Sequence, residues 1–422
     1  MPISQPSRLF IGAALVHLVA AGVFVAFGSW DGVLTVRWDA FLWLLLIGFV
    51  GFFTIGFALH LFPPMSRRVL RSGIVEQLIF PLGEGAVILG TLAAGWPLAT
   101  SPPGWAFSLG ALLYLVCVAL LLLHFIRMMR SPRISKDEPS VHPGDAATIP
   151  LFLASWAAAS AAGVLFVLSG VAVGPGFGWW IAGIHLFVLG HVALLIVAVT
   201  LRLAPRSLGV DPPHAAASAL AAFGIVGAIS VPLGMLLSTR GAPVLLEWLA
   251  LPEAVLALGF VGLLGYLGVR GRTPRPPWAL DLLGAGCFVL AGGLALAMLF
   301  RTDYSWYGIH AFIGVLGFVG ITILVMVFSM IAPFQRVYHA WTRRMLWVLS
   351  AAWLLALIGL VSLELEGSTA SPWLFGTVGG LLVGVAVTWS LGTFPVLNLD
   401  LNPLPGISHS RIQKLRDRWR GP

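Results

Sequence analysis

Long apolar runs alternate with short polar breaks along the whole chain. The runs occupy residues 9–29, 40–63, 74–96, 105–127, 150–173, 179–203, 215–237, 244–268, 279–300, 307–332, 342–363 and 373–395. Each matches the roughly 20 residues that a helix needs to cross a hydrocarbon core of about 30 Å. They are apolar all round, without the strict alternation of a membrane strand. In lipid, a helix satisfies its backbone groups within its own segment. The pattern therefore predicts an all-α integral membrane protein with twelve transmembrane helices.

The breaks group these helices. The longest, "RSPRISKDEPSVHPGDAAT" at residues 130–148, has the Pro, Ser and charge content of a cytoplasmic linker. The next, "RGRTPRPP", covers residues 270–277. Together they divide one membrane domain into three four-helix pseudo-repeats, about 1–130, 150–270 and 277–397, ahead of a basic tail at 398–422. An internal echo supports the division. Spans two, six and ten read "LIGFVGFFTIGFALHLFPPMSRR", "VLGHVALLIVAVTLRLAPRSLG" and "VLGFVGITILVMVFSMIAPFQR". Gly48 precedes Pro63 by 15 residues, Gly190 precedes Pro205 by 15, and Gly317 precedes Pro333 by 16. A small residue lets helices approach closely in lipid, and the Pro closes the helix as it meets water.

Composition and charge agree with this placement. Hydrophobic residues make up 59% and charged residues 9% of the chain, against roughly 25% charged in a soluble domain. With the N-terminus inside, 21 of the 24 Lys and Arg residues fall in cytoplasmic segments, leaving Arg37, Arg240 and Arg301 outside. The expected protein is multi-pass in the cell (inner or plasma) membrane, with both termini cytoplasmic. Its net charge of +8 then reflects topology and anionic headgroups. No basic, aromatic-interleaved module for nucleic acid is present, so the first partner is the lipid bilayer. The first apolar run lacks a small-residue cleavage site and is read as a retained span. Cys117 and Cys287 lie inside spans, which excludes a disulfide framework or a zinc cluster.

The candidate chemistry lies in ionisable residues inside the membrane, which are functional candidates by default. His185 and His191 differ by about 240° around a helix and about 9 Å along it, so they cannot share an ion. His185 follows the interfacial Trp179 and Trp180, and His310 follows Trp306 at the start of the equivalent span ten, which sets the two at similar depth. Neutral imidazoles in such a site suit haem iron or copper; capping a carbonyl or facing a polar cavity is the competing role. His191 takes the place of Phe49 and Phe318 in the other repeats and is open to a structural hydrogen bond or to haem ligation. His17, midway along span one, is read as an interhelical hydrogen-bonding residue. Glu84, beside Pro81 and Gly83 in span three, is a candidate for a proton pathway or for a neutral hydrogen-bond donor. Glu247 and Glu253 are further candidates to accept protons or cations. His60, His124, His214 and His339 fall at span ends, and His142 and His409 in solvent-facing segments.

Three blocks of four helices, with "HLFVLGHVALLIVAVTLRLAPR" and "GIHAFIGVLGFVGITILVMVFSMIAP" in spans six and ten, resemble the catalytic subunit of haem-copper oxidases and nitric oxide reductases. Their NnrS-type membrane haem relatives are included in the resemblance. It implies a copper-binding His in span six and a haem-ligating His near the outer end of span ten, matched approximately by His185 and His310. The sequence departs from the pattern elsewhere. "GAISVPLGMLLSTRG" in span seven lacks the adjacent copper His pair, Leu189 stands where a Tyr is expected, Phe312 replaces a second span-ten His, and "FLWLLL" offers no low-spin ligand. The resemblance thus implies one haem of b type, bridged by His185 and His310 or held by one His with an open position for a small gas, and an incomplete copper site. The corresponding function is a possible oxidoreductase, in electron transfer or nitric oxide handling with an electron-donor protein, and without reduction of oxygen to water. A cofactor-free partner of a respiratory complex and a proton-coupled transporter are the competing functions.

Overall fold

The computed structural model describes residues 5–27, 38–66, 74–95, 104–130, 143–171, 176–238, 243–271, 276–301, 306–325, 339–366 and 372–397. Every regular element among them is a helix, and eleven helices are long and apolar enough to cross a membrane. A shorter apolar helix, Trp373–Trp389, follows them. The chain is an all-α, multi-pass membrane protein.

We label the helices in chain order. They are α1 (Gln5–Phe27), α2 (38–66), α3 (74–95), α4 (Gly104–Arg130), α5 (Pro143–Val171) and α6 (176–208). There follow α7 (His214–Ser238), α8 (243–270), α9 (Pro276–Arg301), α10 (307–325), α11 (His339–Glu366) and α12 (Pro372–Leu397). Helix α5, Pro143–Val171, starts inside the 130–148 stretch read as linker. Residues 131–142, 326–332 of span ten, the tail 398–422, and the loop cations Arg37 and Arg240 lie outside the described residues.

Nine helices form an outer layer around α2, α6 and α10. Outer helices α3, α4, α5, α7, α8 and α9 pack in chain order, as do α11 and α12, and α12 closes against α1. Burial identifies the inner three. Their apolar windows are 100%, 89% and 67% buried inside the protein, against 28% to 50% for the other long spans. They also touch one another: Phe41 of α2 meets Phe312 of α10 at 6.4 Å between ring centres, and Thr54 of α2 meets His191 of α6.

These inner helices share a backbone feature absent from the hydrophobicity pattern. Each contains an eight-residue stretch of wide, π-helical turns: Leu44–Gly51, Leu186–Ala193 and Ile313–Gly320. Gly48, Gly190 and Gly317 are the fifth residue of each stretch. Each stretch also closes in the same way, as the next residue donates its N–H to the carbonyl three positions back: Phe52 to Phe49 O, Leu194 to His191 O and Ile321 to Phe318 O. Wide turns are rare and are usually confined to short bulges. They loosen the regular backbone pairing, which lipid cannot repair, and in the inner helices the surrounding helices shield them; a shorter wide-turn stretch, Val75–Ile79, opens α3.

Side chains satisfy backbone groups across the helix contacts. Three Trp residues do so in one recurring arrangement. Trp43 donates its indole N–H to Ala86 O and lies over Gly90; Trp278 donates to Leu264 O and lies over Gly268; Trp353 donates to Leu316 O and lies over Gly320. In each case the glycine is four residues after the acceptor. On a helix the Cβ leans toward the N-terminus, over the preceding turn. A methyl group at any of these glycines would overlap the indole and shield that carbonyl.

Candidate metal centre and the buried histidines

The wide-turn stretches position four histidines, whose hydrogen bonds fix where the ring protons sit. A carbonyl oxygen can only accept, so a ring nitrogen bonded to one carries the hydrogen, and the other nitrogen of a neutral imidazole holds a lone pair.

His191 lies in the middle of α6 and is only 1% exposed. Its Nδ1 donates to Ser155 O of α5 at 3.1 Å, and its Nε2 meets Thr54 Oγ1 of α2 at 3.0 Å. The Thr54 hydroxyl also reaches Gly51 O at 2.8 Å, so its one proton serves two acceptors. The Trp156 ring packs edge-on at 4.5 Å. Both nitrogens of His191 are thus engaged, and the residue ties α2, α5 and α6 together.

His17 forms a second node. Its Nδ1 donates to Gly48 O of α2 at 3.1 Å, and its Nε2 lies 3.2 Å from Glu84 Oε2 of α3. Because Nδ1 keeps its hydrogen, the Nε2–Oε2 contact is bridged by a further proton, belonging either to a neutral carboxyl or to an imidazolium. Gly48 makes room for this approach, since a Cβ there would sit 2.9 Å from His17 Cβ. Glu84, the acid singled out for a proton pathway, is therefore an interhelical hydrogen-bond partner of His17.

His185 and His310 differ from both nodes. His185 ends the first segment of α6 and donates Nδ1 to Ile181 O of its own helix at 2.9 Å. His310, in the first turns of α10, donates Nδ1 to Ala291 O of α9 at 2.8 Å. The two rings lie 5.9 Å apart between centres and within 11° of parallel. Neither Nε2 has a hydrogen-bond partner among the described residues. Two imidazoles, each anchored through Nδ1, therefore lie side by side between inner helices, each with an Nε2 that no described residue engages. A donor bond from the second ring nitrogen to a carbonyl is the usual support of a metal-bound His. The Glu364 carboxyl rests on Gly308, two residues before His310.

The separation tests which group the pair fits. Two imidazoles on one ion, with metal–nitrogen bonds of about 2.0 Å, place their ring centres about 5 to 6 Å apart between tetrahedral and linear angles. The observed 5.9 Å falls within that interval. Linear ligation covers two axial imidazoles on one haem iron as well as a shared bare ion, so the separation suits either. The inner helices come close beside the pair, where Leu186–Ala193 and Ile313–Gly320 approach within 8 Å between Cα atoms. No cluster of three or more His, Cys, Asp or Glu residues suited to a metal occurs among the described residues.

Beside His191 lies a small enclosed cavity lined by Gly51, Gly83, Tyr114, Cys117 and Trp156 among others. Its ≈ 10 Å³ has room for about one water molecule. The Tyr114 hydroxyl and Trp156 Nε1 are buried without a hydrogen-bond partner. The sequence carried no signal for these two, nor for the wide turns that aim the Gly48 and Leu316 carbonyls at side chains. No protein-family model matches the sequence, and no curated protein matches it.

Proposed function

We propose that the protein is a membrane redox metalloprotein of oxidase-like architecture, in which His185 and His310 donate their Nε2 atoms to one transition-metal ion. The observation that carries this reading is the pair itself: two near-parallel imidazoles, each anchored through Nδ1 and open at Nε2. Imidazole donors suit copper and iron among redox metals. The ion supplies one-electron chemistry when bound. The chain's own residues hold both rings in the tautomer that can bind it, and the surrounding apolar helices keep water away.

The architecture supports the same reading. The matched wide-turn stretches of α2, α6 and α10 favour three four-helix blocks, twelve spans and an inner triad contributed by the second helix of each block. The charge distribution favours cytoplasmic termini in the cell membrane, which sets the imidazole pair toward the outer face. Electron transfer and nitric oxide handling are the activities that such a centre fits, with an electron-donor protein or a small gas as partner. A haem of b type, bridged by both imidazoles or carried by one alone, is also compatible with this chain.

Metal analysis and a reduced-minus-oxidised absorption spectrum of the detergent-purified protein test the proposal, with His185→Ala and His310→Ala beside the wild type. Near-stoichiometric copper or iron that is lost in both variants supports it. A haem spectrum lost in one variant alone assigns a single-imidazole haem instead of a shared ion. Metal-free wild type after expression with ample metal and haem overturns it. A second reading, proton-coupled transport, is favoured by the proton bridging His17 and Glu84, and predicts proton-dependent uptake that disappears in Glu84→Gln.

A further inference from the structure

Helix α8 is interrupted. Pro243–Leu249 ends at Ala250, and Leu251–Arg270 begins anew with Pro252 in its first turn. Pro252 has no N–H to donate, so the ladder of hydrogen bonds lapses here. Discontinuous helices inside membranes characteristically border ion and substrate sites.

Glu253 stands at this interruption. It is 8% exposed, and neither carboxyl oxygen has a hydrogen-bond partner among the described residues. Its Oε2 packs against Gly227 of α7, where a Cβ would collide with it. The hydroxyl at the break, Ser230, is already committed to Leu249 O and Gly227 O. The elements packed on α8 carry titratable or charged groups at His185, His191 and Arg202 of α6, His214 of α7, and Asp281 and Cys287 of α9. None pairs with Glu253, nor do Glu247, Tyr266 and Arg270 of α8 itself.

An ionised carboxyl here would be a buried charge with no donor and no counter-ion, whereas the protonated form leaves only a neutral hydroxyl unpaired. Too few oxygens surround it to cage a metal cation, which takes about six or more. We propose that Glu253 is a proton-binding site built into the break of α8, separate from the imidazole pair. It takes up and releases one proton, and half-buried Glu247, six residues earlier, lies between it and the start of the helix.

The test uses the full-length protein in detergent. Infrared spectroscopy should show a protonated-carboxyl stretch that shifts in D2O and is missing from Glu253→Gln. Dicyclohexylcarbodiimide, which reacts with protonated carboxyls in apolar surroundings, should label the peptide containing Glu253, with a yield that falls about tenfold from about pH 5 to about pH 9. Metal content should be unchanged in Glu253→Gln, which separates this site from the metal reading. Gly227→Ala, which keeps the acid but displaces it, should move the band; it serves where the Gln variant does not fold. A band that persists unaltered in both variants, or labelling of Glu253 that is independent of pH, overturns the proposal.

Discussion

On α6, His191 commits both ring nitrogens to protein atoms on neighbouring helices, whereas His185, six residues earlier, commits one and stands beside the equally uncommitted imidazole of His310. The residues are chemically identical and share one helix. They differ in what surrounds them. His191 lies where α2, α5 and α6 converge, so donors and acceptors reach it from two sides. His185 lies beside the contact of α6 with α10, where its neighbour is the imidazole of His310. An intramembrane histidine is therefore defined less by its depth than by whether its second nitrogen is used.

The largest effect is expected from the open pair. Replacing either His185 or His310 with Ala should lower bound metal at least about tenfold, and the double variant should lose little more, because two donors to one ion act as a unit. Metal content of the three purified variants checks this. If the losses instead add, the imidazoles serve separate sites.

The closed network should respond in stability. Gly320→Ala drives a methyl group into the Trp353 indole and should cost about 3 kcal/mol, as overpacking of a close contact does. His191→Ala removes the link to Ser155 and Thr54 and should cost about 2 kcal/mol. Thermal unfolding in detergent ranks the two, and equal stability of all forms would contradict the role given to the network. The smallest effect belongs to Glu84→Gln. Its amide N–H can still donate to His17 Nε2, so stability should change by less than about 0.5 kcal/mol. A larger loss would show that His17 and Glu84 form a true ion pair.

Much of this contrast was beyond the sequence. The apolar runs announced helices because a span in lipid must be predominantly apolar over about 20 residues, and the Gly48, Gly190 and Gly317 echo located the three helices that prove innermost. That His185 and His310 lie at a common level could be read from the flanking Trp residues. Their hydrogen bonds could not, because Ile181 O and Ala291 O are backbone atoms that carry no side-chain signature. The same holds for Gly48 O, which captures His17, and for the carbonyls under Trp43, Trp278 and Trp353. Hydrophobicity gives α8 as one uninterrupted span, and only Pro252 hinted at its break.

The most direct measurement is the metal-to-protein ratio of His185→Ala and His191→Ala, prepared side by side with the wild type. The account predicts near-stoichiometric metal in the wild type and in His191→Ala, and its loss in His185→Ala. Metal retained in His185→Ala and lost in His191→Ala would place the centre at the closed histidine and contradict the assignment.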